Sequence, residues 1–183
     1  MSEDRGIPII SRAKQHGRRV AVISDEGTFT YEQLLAAATS VAANLLAGRD
    51  DLREARVAYM ARPGFEYAAI QWGVWMAGGL AVPLCELHPL PEMEYVIEDS
   101  QASIMIAQDH WATALSASGS ARNFRFLTAA EAMQAKGTSL PSVALERRAK
   151  ILYTSGTRIM PLAELPRNAV GNVNKTPPAK LFH

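Results

Sequence analysis

The chain has 183 residues, enough for one domain with a real core, and its 48% apolar and 20% charged residues are ordinary for a globular protein. A net charge of +1 gives no electrostatic basis for binding nucleic acid or an anionic membrane. The single cysteine, Cys85, excludes an intramolecular disulfide framework and fits a reducing compartment.

Val20 to Ser24 is a short β-branched run that predicts a strand, and Gly27 turns the chain after it. Thr30 and Gln33 form a capping box that opens a helix. Its apolar face runs through Tyr31, Leu34, Leu35, Ala38, Val41, Ala42, Leu45 and Leu46, and Gly48 is its expected stop. Arg56 to Ala61 predicts a second strand. Phe65 to Met76 predicts an apolar helix closed by Gly78 and Gly79. Leu80 to Leu84 predicts a third strand.

Pro91 suits the first turn of a helix running to Asp99, and Ser103 to Ala107 predicts a fourth strand. A short helix near Trp111 and a strand at 124–127 follow, then a loop from Gly137 to Pro141. Lys150 to Tyr153 predicts another strand. This alternation gives an α/β fold with a largely parallel sheet flanked by helices. After Thr157, proline, glycine and the loss of apolar periodicity predict a poorly ordered tail over 158–183.

No apolar run reaches membrane-spanning length. The opening Met-Ser-Glu-Asp-Arg-Gly lacks the apolar centre of a secretory signal, so the cytosol is the expected compartment. A mitochondrial precursor whose leader is absent is the alternative.

The chemistry concentrates at Tyr153-Thr154-Ser155-Gly156-Thr157. A strand that ends in small hydroxyl residues and glycine lets backbone N–H groups approach an anion. Trp72, Trp75 and Met76 have helical spacing in an apolar run, which predicts core packing rather than a ligand site. Arg147, Arg148 and Lys150 read as a solvated basic edge before the strand. Cys85 reads as a small strand-end residue, and His88 lies in a Pro-flanked loop. No His, Cys, Asp or Glu spacing indicates a metal site.

Four blocks in order resemble the adenylate-forming acyl-CoA synthetases, the AMP-binding family. They are Gly27 to Leu34, Phe65 to Leu84, Glu94 to Ala102 and Tyr153 to Thr157. Asp51-Leu52-Arg53-Glu54, Gln71-Trp72, the Gly79 to Leu84 run and His88-Pro89 look most like the malonyl-CoA synthetase branch. The resemblance implies that residues 1–157 are part of an N-terminal AMP-binding domain. It implies ATP, Mg²⁺ and coenzyme A as cofactors and co-substrates, and a small carboxylic acid, malonate favoured, as substrate. Thr154, Ser155, Gly156 and Thr157 would contact the ATP phosphates, and the reaction would pass through an acyl-adenylate.

Leu165 to Lys175 resembles the family's C-terminal lysine block, so 158–183 reads as a remnant of that tail and the chain as internally deleted. Asn172 stands where the family has its adenylation lysine, and Arg158-Ile159-Met160-Pro161 replaces the second half of the phosphate loop. The expectation is a catalytically impaired form with no catalytic residue of its own. Two alternatives stay open: a non-catalytic partner of a full-length synthetase, and a small nucleotide-binding module.

Overall fold

The computed structural model describes residues 6–120, 124–134 and 139–153. Its most apolar segments form one parallel sheet. β3 (Arg56–Met60), β4 (Leu80–Pro83), β5 (Ile104–Ala107) and β6 (Arg125–Thr128) lie in the order β4-β3-β5-β6, all parallel. A parallel sheet is stable only when helices cover both faces, and the side-chain alternation of β3 shows how that is done. Val57 and Tyr59 point to one face and Ala58 and Met60 to the other, and all four are fully buried.

The Val57–Tyr59 face packs against α1 (Pro8–Lys14), α2 (Tyr31–Leu46), α3 (Phe65–Met76) and the short α6 (Ala129–Ala132). The opposite face packs against α4 (Leu90–Asp99) and α5 (Asp109–Ser120), through Met93, Val96, Ile97 and Leu115. Trp72 and Met76 are buried on α3 as core residues, as their spacing predicts. A separate antiparallel hairpin, β1 (Val20–Ser24) with β2 (Gly27–Thr30), precedes α2. The sequence reading took Gly27 only as a turn. Here it opens β2 and pairs with Ser24.

Local signals explain the element ends. At the start of α2 the Thr30 hydroxyl accepts from the Gln33 N–H at 3.3 Å, and the Gln33 side chain accepts from the Thr30 N–H at 2.8 Å. The helix ends at Leu46, with Ala47 as its C-cap in the left-handed region and Gly48, the expected stop, following it at φ 87°. α3 has the predicted limits, and α4 carries Pro91 in its first turn.

α2 and α3 cross closely enough that Gly73 has no room for a side chain. An added Cβ would sit 2.5 Å from Val41 Cβ and 2.9 Å from the Ala38 carbonyl oxygen. Gly73→Ala is therefore expected to cost about 1–3 kcal/mol through overpacking, read as a lower urea midpoint at unchanged slope.

Candidate functional site

The strand expected at Lys150–Tyr153 is present only as a single parallel bridge, Ala81 to Lys150. The Ala81 N–H donates to the Ala149 carbonyl at 3.1 Å, and the Ile151 N–H donates to the Ala81 carbonyl at 2.9 Å. The next rung would need an N–H at position 83. That residue is proline and has none, so the ladder stops there. The chain nevertheless keeps two-residue alternation, with Ile151 and Tyr153 packed on the α4 side and Lys150 reaching Tyr67 of α3 at 3.2 Å. Leu152 is left 64% exposed.

Residues 147–151 are fastened at almost every position. The Arg147 guanidinium forks onto Asp51, Nη1 to Oδ1 at 2.7 Å and Nη2 to Oδ2 at 2.6 Å. Arg148 donates to Glu54 through its backbone N–H at 2.9 Å and its guanidinium at 2.9 and 2.6 Å. The Ala149 carbonyl also accepts from Trp75 Nε1 at 2.7 Å. The basic run is thus paired; Arg148 is still 69% exposed, as a solvated edge requires, whereas Arg147 is mostly shielded. The charges could be read from sequence, but their carboxylate partners lie 96 and 94 positions away.

Trp75 was expected to serve the core. It is only partly buried, and its indole N–H has a definite hydrogen-bonding role. That role had no local signal. One residue before the loop, the Tyr153 hydroxyl donates to Asp99 at 2.5 Å. Burial first, and then this bond, push its pKa up to about 12, so it stays a neutral donor and is no base at neutral pH. Arg147 holds the Asp51 carboxyl below the usual carboxylate range, and Arg148 does the same for Glu54.

Thr154, Ser155, Gly156, Thr157 and Asn172 lie outside the described residues, as do the boundary at 157/158 and the tail over 158–183. The described residues before Thr154 run alongside the carboxyl-terminal half of β4. In open α/β sheets that end of the strands is where ligands bind.

The order β4-β3-β5-β6 also puts a topological switch between β3 and β5. A cleft of about 470 Å³ opens there. It is lined by Asp25, Glu26, Glu66 and Asp109 against Arg62 and His110. Gln108 ties it together, accepting from the Arg62 N–H at 2.9 Å and donating to Glu66 at 2.6 Å. Glu26 already accepts from the Phe65 N–H at the start of α3. With four carboxylates around it, the cleft is a poor place for a polyphosphate.

Among the described residues, no group of three or more His, Cys, Asp or Glu could hold a metal ion. Cys85 is exposed just beyond β4, and His88 Nδ1 lies 3.6 Å from Glu92. No described helix is long and apolar enough to cross a membrane.

The family model of AMP-binding enzymes matches residues 10–161. The human malonate–CoA ligase ACSF3, mitochondrial, is 38% identical over 117 residues, which is 62% of this chain and 20% of that protein. The Xenopus laevis counterpart is 30% identical over 164 residues, 82% of this chain and 28% of its own length. An Arabidopsis thaliana malonate–CoA ligase is 29% identical over 178 residues, covering 80% of this chain and 28% of the relative. The chain therefore spans less than a third of the length of these curated relatives.

Among solved structures, apo MatB from Rhodopseudomonas palustris has the same fold over 81% of this chain and 32% of its own, with a TM-score of 0.69 at 23% identity. The anthranilate CoA ligase AuaEII, in complex with anthranoyl-AMP, matches 82% of this chain and 31% of its own, with a TM-score of 0.72 at 20% identity. The chain belongs to the AMP-binding enzyme family.

Trp75→Phe keeps an aromatic side chain, a smaller one, and removes the donor to Ala149. It is expected to cost about 1 kcal/mol in urea unfolding, the net worth of one hydrogen bond.

Proposed function

We propose that this chain carries the phosphate-binding part of an ATP-dependent acid–CoA ligase, with malonate as the acid. The observation that carries this reading is the delivery of residues 149–151 along β4, directly before Thr154, Ser155, Gly156 and Thr157. Those four residues are assigned to the ATP phosphates. Their backbone N–H groups and hydroxyls offer donors to an anion, and Gly156 allows close backbone approach. The crystallisation of MatB from R. palustris with ATP bound supports a nucleotide on this fold. The malonate–CoA ligase relatives support the acid, and coenzyme A as its acceptor.

Bound Mg²⁺ would neutralise phosphate charge; the described residues offer it no ready-made cluster. The division into an AMP-binding part over 1–157 and a tail remnant over 158–183 belongs to the same reading. So does an impaired adenylation step, because Asn172 stands in the lysine's place and brings no positive charge to the phosphates. Cytosol and mitochondrion are both kept as compartments; the second is in the human relative's name.

Malonate-dependent ATP–pyrophosphate exchange tests the proposal on the purified chain with Mg²⁺. The expected result is saturable ATP binding with exchange no faster than in a no-acid control. Exchange well above that control would contradict the impairment. A folded chain blind to ATP would contradict the phosphate assignment.

A further inference from the structure

Two carboxylates and two arginines remain unused by the reading above, and they form one device. The loop from Asp51 to Ala55 enters β3 at the amino end of the sheet. It turns through two successive left-handed residues, Arg53 at φ 51° and Glu54 at φ 62°. Neither is glycine, asparagine or aspartate, so the conformation is costly and must be held by its surroundings. The Leu52 N–H bonds the Ala77 carbonyl at 3.0 Å and the Glu54 N–H bonds the Gly78 carbonyl at 2.8 Å, which caps the end of α3.

This loop presents Asp51 and Glu54 side by side to the consecutive pair Arg147 and Arg148. Arg147 forks onto both oxygens of Asp51, whereas Arg148 places two guanidinium donors on Glu54 Oε2 and its backbone N–H on Oε1. The Asp51–Arg147 pair is mostly shielded, at 19% and 27% side-chain exposure. Gly78 makes room for it. An added Cβ there would sit 2.2 Å from Asp51 Oδ1 and 2.7 Å from Arg147 Nη1, and its φ of 75° is itself a glycine conformation. The Arg147 guanidinium also lies at the carboxyl end of α3, where a positive charge is favoured.

The pairing matters because backbone hydrogen bonding gives this segment little register of its own. One bridge joins residues 149–151 to β4, and Pro83 prevents a further rung. A slip of one residue would reverse which side chains face α3 and α4. Two adjacent arginines, each fixed to its own carboxylate, forbid that slip.

We propose that Asp51 and Glu54 are positioning residues that, by gripping Arg147 and Arg148, set the register of residues 147–151 and so the point from which the phosphate loop departs. The proposal rests on the ligase reading for the loop's role, but the latch can be measured without it.

The test uses the full chain and two readouts: amide hydrogen exchange at Ile151, whose N–H makes the bridge to Ala81, and the affinity for MgATP. Asp51→Asn with Glu54→Gln is expected to speed Ile151 exchange by about tenfold or more, since each variant weakens charge-assisted bonds. Met105, in the interior strand β5, serves as the control amide and is expected to stay protected. Arg147→Lys keeps the charge but loses the fork, and is expected to act in the same direction. Asp51→Asn added to Arg147→Lys should change exchange less than it does alone, the signature of a coupled pair. The same variants should weaken MgATP binding in proportion to their effect on Ile151.

Unchanged Ile151 exchange in the double carboxylate variant would overturn the latch. Faster exchange with unchanged MgATP affinity would overturn its positioning role. A wild-type chain that binds no MgATP would instead overturn the nucleotide reading, and exchange at Ile151 alone would then decide the latch.

Discussion

The central strand β3 must be covered on both faces and hydrogen-bonded on both edges, and much of the described fold follows from that requirement. β4 and β5 take its edges, α2 and α3 cover Val57 and Tyr59, and α4 and α5 cover Ala58 and Met60. Once β4 and β5 lie on opposite sides of β3, their connecting helices fall on opposite faces of the sheet. The carboxyl ends of the strands are then brought together as a common platform. Tyr59 shows how little freedom remains. Its hydroxyl is buried, finds Gln71 at 3.1 Å, and is pushed to a still higher pKa by that burial and by Tyr67.

Residues 147–151 are held differently from the rest of the sheet. Backbone pairing contributes one bridge there. Side chains contribute the remainder: two guanidinium–carboxylate pairs, one indole donor and one lysine on a tyrosine ring. Such contacts are directional, so they can fix a position that a single rung would leave loose. The acidic switch-point cleft, by contrast, is polar and roomy but carries the wrong sign for phosphate.

Elements with a local cause were legible in the sequence. The Thr30–Gln33 box set the start of α2, and the apolar run with Gly78 and Gly79 set α3. Two helices carried signals that the sequence reading passed over. α1 has Pro8 in its first turn, and α6 has its own capping box from Thr128 to Glu131. β2 is only four residues long and begins with glycine, so its pattern resembles a turn. Lys150–Tyr153 has the composition of a strand, but whether it pairs depends on Pro83 of the neighbouring strand, which no local window contains. Thr154 to Thr157 carry a chemical signal in the sequence, through Gly156 and its hydroxyl neighbours, and lie outside the described residues. The supports of residues 147–151 were not legible, because Arg147 and Arg148 find Asp51 and Glu54 only after the whole sheet has formed.

Hydrogen exchange across the whole chain, with and without saturating ATP, tests the central claim most directly. ATP is expected to slow exchange at Ser155, Gly156 and Thr157 and to leave His110 and Ala130, at the switch-point cleft, unaffected. Protection centred on His110 and Ala130, with none at 155–157, would contradict it.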